Sequence, residues 1–229
     1  MSYQSDEEQV ELLKDLWKDY GQPIVLSVAI VLAAVFGYKY WQKTQLQDIS
    51  EASTLYQNLL DALSLEQQGL FVAPLSEAQK ATVGHVVSSL QNDYADSQYA
   101  AFATLFLARQ QVQDNQLGAA RASLEWVLAN KPTAEVKIIA SVRLARVMLS
   151  ESLESGQQAL DILTKLNAGK SYEATVESAK GDVYLALGDR KQAEVAYQKA
   201  ADAARDNGLN RPLLQLKLDD LAAMAPQGG

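Results

Sequence analysis

The chain has 229 residues, 20 basic and 28 acidic side chains, one histidine and no cysteine. Without cysteine there can be no disulfide, thiolate metal site, iron–sulfur cluster or cysteine nucleophile, and a lone histidine makes a histidine-based metal site or triad improbable. The net charge of −8 argues against a nucleic-acid footprint, which needs clustered lysine and arginine to displace counterions from phosphates.

The first feature in chain order is an acidic segment, residues 1–19, with six acids and two lysines. Val10, Leu13 and Trp17 stand there at helical spacing. They are compatible with a short interfacial helix, a peptide that docks on a partner, or a solvated tail. Residues 20–41 follow as a predicted transmembrane helix. From Tyr20 to Tyr38 there are 19 uncharged residues, and Ile24 to Phe36 is apolar except for Ser27. At the rise of an α-helix such a run covers about 28 Å, against a hydrocarbon core of about 30 Å. Tyr20, Tyr38, Tyr40 and Trp41 stand at its ends, where amphipathic rings prefer the lipid headgroups, so contact with membrane lipid through residues 20–41 is expected. Pro23 is placed near the helix start, where a missing N–H costs little. A cleaved leader would want a basic start and small residues at its end. Here the leader is acidic and Tyr38, Tyr40 and Trp41 follow, so an uncleaved anchor is expected. Lys14 and Lys18 on one side balance Lys39 and Lys43 on the other, and the charge rule leaves the orientation open.

Residues 42–225 read as an all-α, tetratricopeptide-repeat-like solenoid, followed by a mobile tail over 226–229. Ile49, Ala52, Leu55, Tyr56, Leu59, Leu60 and Leu63 form one helical stripe. Val83, Val86, Val87 and Leu90 form a second, after a loop around Gly69 to Pro74. Beyond these the pattern repeats. Gly181, Tyr184, Gly188, Ala193, Tyr197 and Ala200 follow offsets of 3, 4, 5, 4 and 3, the small–aromatic–glycine–alanine–aromatic–alanine ladder of such a repeat. Small residues are needed where two antiparallel helices approach, a glycine where the chain turns, and aromatics where space between helices is filled. Leu107, Ala108, Ala120, Leu124, Val127 and Pro132 fit the same frame. Leu144, Ala145, Met148, Ala159, Leu163 and Leu166 fit it with about two extra residues in the turn. Pro212 opens a terminal helix through Leu221 that would cover the last apolar face.

Nothing in the pattern reads as an active site. His85 has no serine or cysteine partner in a recognisable motif, and Asp219 and Asp220 are adjacent on a helix and face different ways. Gly181 and Gly188 lack the strand that a phosphate loop requires. No cofactor and no metal are expected. A repeat array offers instead an inner face lined by its first helices. The candidate partner-binding groove is Phe102, Leu105, Arg109, Ile139, Val142, Arg146, Thr175, Asp182 and Leu185, a mixture of apolar residues and two arginines one repeat apart that suits an extended peptide or a partner helix. The competing reading is that several of these residues only pack against the Ile49–Leu90 hairpin.

The acidic start, the span ending in Gly37-Tyr-Lys-Tyr-Trp41, Ala52-Ser-Thr-Leu-Tyr-Gln-Asn58, Leu144-Ala-Arg-Val147, Lys180-Gly-Asp182 and Leu214-Gln-Leu-Lys-Leu-Asp219 together resemble the YfgM family. These proteins are ancillary subunits of the bacterial Sec translocon. The resemblance runs over essentially the whole chain. It implies an inner-membrane protein with a cytoplasmic N-terminus and a periplasmic repeat domain. It further implies the SecYEG translocon and the membrane-anchored periplasmic chaperone PpiD as partners, a role in assisting newly translocated proteins, and no catalytic motif. Two other readings stay open on the residues: a scaffold for other cell-envelope complexes, and an enzyme subunit whose site is shared with a partner. A deep polar pocket converging on His85 or on paired carboxylates would favour the latter.

Overall fold

A computed structural model describes residues 3–64 and 75–223, with backbone alone for residues 3–16, 19–22 and 24. The expected loop at 69–74 and the tail at 226–229 lie outside the described residues. Nine α-helices and one short 3-10 turn account for the described elements. They are α1 (Tyr3–Ser64), α2 (Glu77–Asp93), α3 (Gln98–Gln113), α4 (Leu117–Ala129), α5 (Ala134–Glu151), the turn Leu153–Ser155, α6 (Gly156–Thr164), α7 (Gly169–Ala186), α8 (Arg190–Asp206) and α9 (Pro212–Ala223). The chain divides into two compact units between Glu51 and Ala52.

The first unit is helical. α1 begins at Tyr3 rather than beside the apolar run, which puts Pro23 in the helix interior and not near its start. The proline then removes one backbone hydrogen bond inside the helix, a loss that apolar membrane helices tolerate. A window long and apolar enough to cross a bilayer lies within Val25–Leu63, and none of it is covered by the protein. Val25, Leu26, Ile30, Val31 and Phe36 are each more than half exposed. A soluble core helix would bury such side chains at roughly 1.5–3 kcal/mol each. Tyr38 and Trp41 stack beyond the run with ring centroids 6.1 Å apart.

The second unit is the repeat array. The helices begin where their caps dictate. Ser76 and Gln79 form a reciprocal capping box at α2. Ser97, Thr133 and Asp189 accept backbone N–H bonds at the starts of α3, α5 and α8, satisfying donors that a helix leaves orphaned. Pro212 occupies the first position of α9, where its missing N–H is harmless. α3 with α4, α5 with α6, and α7 with α8 pack as antiparallel hairpins, and α5 touches both α3 and α7, so the first helices of the hairpins line one side.

The repeat frame is visible in what is buried. Ala108, Ala145 and Gly181 occupy the close-approach position of the first helices, and Ala120, Ala159 and Ala193 that of the second; every one is buried. Leu124, Leu163 and Tyr197, each four residues on, have at most 1% of their surface exposed. The two extra residues of the middle unit are taken up by the 3-10 turn before α6. Gly188 turns the chain between α7 and α8 at φ +82°, a conformation that glycine adopts without strain. Ala52, Leu59 and Leu63 of α1 join Val83, Val87 and Leu90 of α2 in a separate core that ends on Ala100 and Ala103 of α3. At the other end Leu214 and Leu221 of α9 cover Ala193, Tyr197 and Ala200, closing the open face as a solenoid requires.

The tightest approach is at Gly181, where an added Cβ would stand 2.4 Å from the Tyr197 ring. That ring is 1% exposed, so an added methyl group must displace a buried side chain. Gly181→Ala is expected to lower stability by about 1–3 kcal/mol through overpacking, read as a shift of the urea midpoint of the full chain in detergent micelles. An unchanged midpoint would mean that α7 and α8 separate without cost.

Candidate partner-binding face

The residue after each close-approach position points to the inner side of the array, and the three are Arg109, Arg146 and Asp182. The frame therefore lays down a ladder of two cations and one anion along α3, α5 and α7. Its second and third rungs meet: Arg146 Nη2 lies 3.6 Å from Asp182 Oδ2. Asp182 is also the centre of a larger network. Its Oδ1 accepts from the Tyr197 hydroxyl at 2.8 Å and from Lys217 Nζ, and Lys217 sits 5.2 Å over the Tyr197 ring. One carboxylate thus ties α7 to α5, α8 and α9. Charge-assisted bonds to a partly desolvated carboxylate are stronger than neutral ones, and the ammonium over the ring adds a cation–π contact.

The first rung is different. Arg109 is exposed, and among the described residues no carboxylate pairs with it. Its neighbour across the inner face is Arg143 of α5, whose Nη1 donates to the Leu105 carbonyl at 3.1 Å. Leu105 lies one turn before Arg109 on the same side of α3. Partial desolvation and then the charge of Arg109 push the Arg143 guanidinium below its ordinary pKa.

The nine expected groove residues thus separate into three groups. Arg109, Arg146 and Leu185 are open to solvent, with Phe102 40% exposed and Ile139 half-buried beside them. Asp182 and Thr175 are engaged within the chain, Thr175 by Arg211 Nη2 at 2.8 Å. Leu105 and Val142 are 7% and 3% exposed and belong to the central core, so they support the face from beneath and do not line it. Phe102 meets Tyr56 with centroids 6.2 Å apart, and Tyr56 also packs on Tyr99 at 5.7 Å. It is the one residue of the nine seen against the hairpin formed by the end of α1 and α2.

Arg143, Arg211 and Lys217 were not legible as part of this face. Arg143 carries a local signal, three residues before Arg146 and so on the same side of α5. Lys217 reaches Asp182 from 35 residues away, and no local spacing encodes that. His85 is exposed on α2, and no group of three or more metal-ligating side chains occurs among the described residues.

Comparison with known proteins bears on the repeat array and the chain as a whole. Residues 14–223 match the family described as a tetratricopeptide repeat-like domain. Three similar proteins carry the name "Ancillary SecYEG translocon subunit". The one from Haemophilus influenzae is 28% identical and covers 96% of this chain and 100% of its own length. The Escherichia coli protein is 27% identical, covering 96% and 98%. The Neisseria gonorrhoeae protein is 28% identical, covering 94% and 97%. The resemblance drawn from the sequence motifs is thus met over nearly the whole chain. A solved structure, "Crystal structure of MamA", overlaps 65% of this chain and 94% of that one at 16% identity and a TM-score of 0.41, too loosely to bear on fold or function.

Burial, and after it the bond to Asp182, raise the Tyr197 hydroxyl far above the ordinary tyrosine value of 10.0. A group whose folded pKa is raised contributes stability that is complete below its unfolded value and is lost as pH rises toward the folded one. The repeat domain should therefore lose stability above about pH 10. Tyr197→Phe is expected to cost about 1 kcal/mol at neutral pH through the lost hydrogen bond and to flatten that alkaline loss, measured by urea unfolding across the alkaline range. Parallel alkaline slopes in the two proteins would refute the assignment.

Proposed function

Because the chain belongs to the tetratricopeptide repeat-like domain family, we propose that it is a membrane-anchored protein-interaction module that works beside the SecYEG translocon. In this reading the apolar stretch of α1 crosses the inner membrane once, with the N-terminus in the cytoplasm and the repeats in the periplasm. The inner face of the repeats engages polypeptide, either a partner chaperone of the PpiD type or segments of newly translocated proteins passing to it. Tethering suits this task, since confinement beside the channel raises the effective concentration of a weak binder without new contacts. A face of exposed arginines and half-buried apolar side chains suits the recognition of many sequences, as it offers both charge and apolar surface.

The observation that carries the reading is the end-to-end likeness to proteins named as ancillary translocon subunits, which takes in both the apolar helix and the repeats. Site-specific photocrosslinking in intact membranes tests it. A photoreactive residue at Ile139 or Leu185 on the inner face should form adducts with translocon or chaperone subunits, while one at Gln198 on the outer helix α8 should not. Adducts only with cell-wall enzymes would transfer the protein to an envelope scaffold, and none with translocon or chaperone would end the reading.

The orientation has its own test. Protease added to spheroplasts should digest the repeats and spare an N-terminal epitope; the reverse pattern would place the repeats in the cytoplasm.

A further inference from the structure

We propose that Arg109 and Arg143 form a subsite for a carboxylate side chain, supplied by a partner segment whose acidic residue is flanked by apolar ones. The inference rests on the reading of the inner face as a polypeptide-binding surface, and it names the chemistry that this surface selects.

The repeat frame itself shows what is missing. At the second rung the cation Arg146 finds an anion on the next helix, Asp182. At the first rung Arg109 instead faces Arg143, which the Leu105 carbonyl holds against α3. Two guanidinium groups on one small area of surface repel each other. Both stay charged, because arginine does not give up its proton in proteins. An incoming carboxylate relieves the repulsion and accepts planar, paired N–H donors, which is the geometry guanidinium groups favour.

The surroundings decide between classes of anion. Phe102 lies two turns before Arg109 on α3, and Ile139 one turn before Arg143 on α5; both are only partly covered. A side-chain carboxylate in an amphipathic segment would bury these apolar neighbours while it neutralises the arginines. A lipid headgroup or free phosphate would leave them in water. The occupant is therefore an acidic–apolar peptide segment.

The test uses the full chain in neutral detergent micelles and a short fluorescent peptide of alternating leucine and glutamate, with a leucine–glutamine peptide as control. Fluorescence anisotropy should show the glutamate peptide binding roughly tenfold more tightly than the control, with the difference shrinking as salt is raised. Arg109→Gln combined with Arg143→Gln should bring the glutamate peptide down to the level of the control. Arg109→Gln alone, at an exposed position, should give a partial loss with an unchanged thermal midpoint, which guards against a folding defect in the double variant. Equal binding of the two peptides, or no binding of either, would overturn the subsite. So would full retention of the preference in the double variant, or displacement of the peptide by micelles doped with phosphatidylglycerol. The inner-face reading would survive those outcomes if the Ile139 and Leu185 crosslinks to translocon or chaperone still formed. It would fail separately if they did not.

Discussion

The repeat array depends on one close approach, that of α7 to α8, where Tyr197 lies over the bare backbone of Gly181. A side chain at residue 181 would push the two helices apart. With none, the ring is sealed, its hydroxyl reaches Asp182, and the ring and carboxylate together receive Lys217 from α9. The terminal helix is thus held by this polar contact together with the packing of Leu214 and Leu221 on α8. The two upstream hairpins use the gentler version of the same device, with alanine and leucine in place of glycine and tyrosine.

The two compact units separate two physical tasks. In the first, apolar side chains are left uncovered along α1, a state that water penalises and lipid does not. In the second, alanine-rich surfaces pack into cores shared between neighbouring helices. The chain's average hydrophobic content of 48% conceals this contrast. Its acidic surplus conceals another, since Arg109, Arg143 and Arg146 gather on the inner face of the array.

Much of the fold was legible because its determinants are local. Small residues recur at fixed distances from the aromatic or leucine they accommodate, so Ala108, Ala145 and Gly181 mark the first helices before any coordinate is known. The extra turn residues before α6 were visible as a break in that count. What spacing alone does not separate is the inner surface from the layer beneath it. Leu105 and Val142 share a helix side with Arg109 and Ile139, yet they are buried because α3 and α5 meet there. Nor does spacing reveal contacts closed by distant segments, such as Arg211 with Thr175 or Lys217 with Asp182. Pro23 misled for a different reason. A proline usually marks a helix start, but here it stands in the interior of α1.

The central claim is that recognition resides on the inner helices α3, α5 and α7, while the outer helices α4, α6 and α8 serve to hold them. Hydrogen–deuterium exchange of the full chain, alone and in its translocon complex purified from membranes, tests this most directly. The account predicts that added protection falls on α3, α5 and α7, centred on the turns carrying Arg109, Ile139 and Leu185, with the outer helices unchanged. Protection confined to α1 or to the outer helices would contradict it.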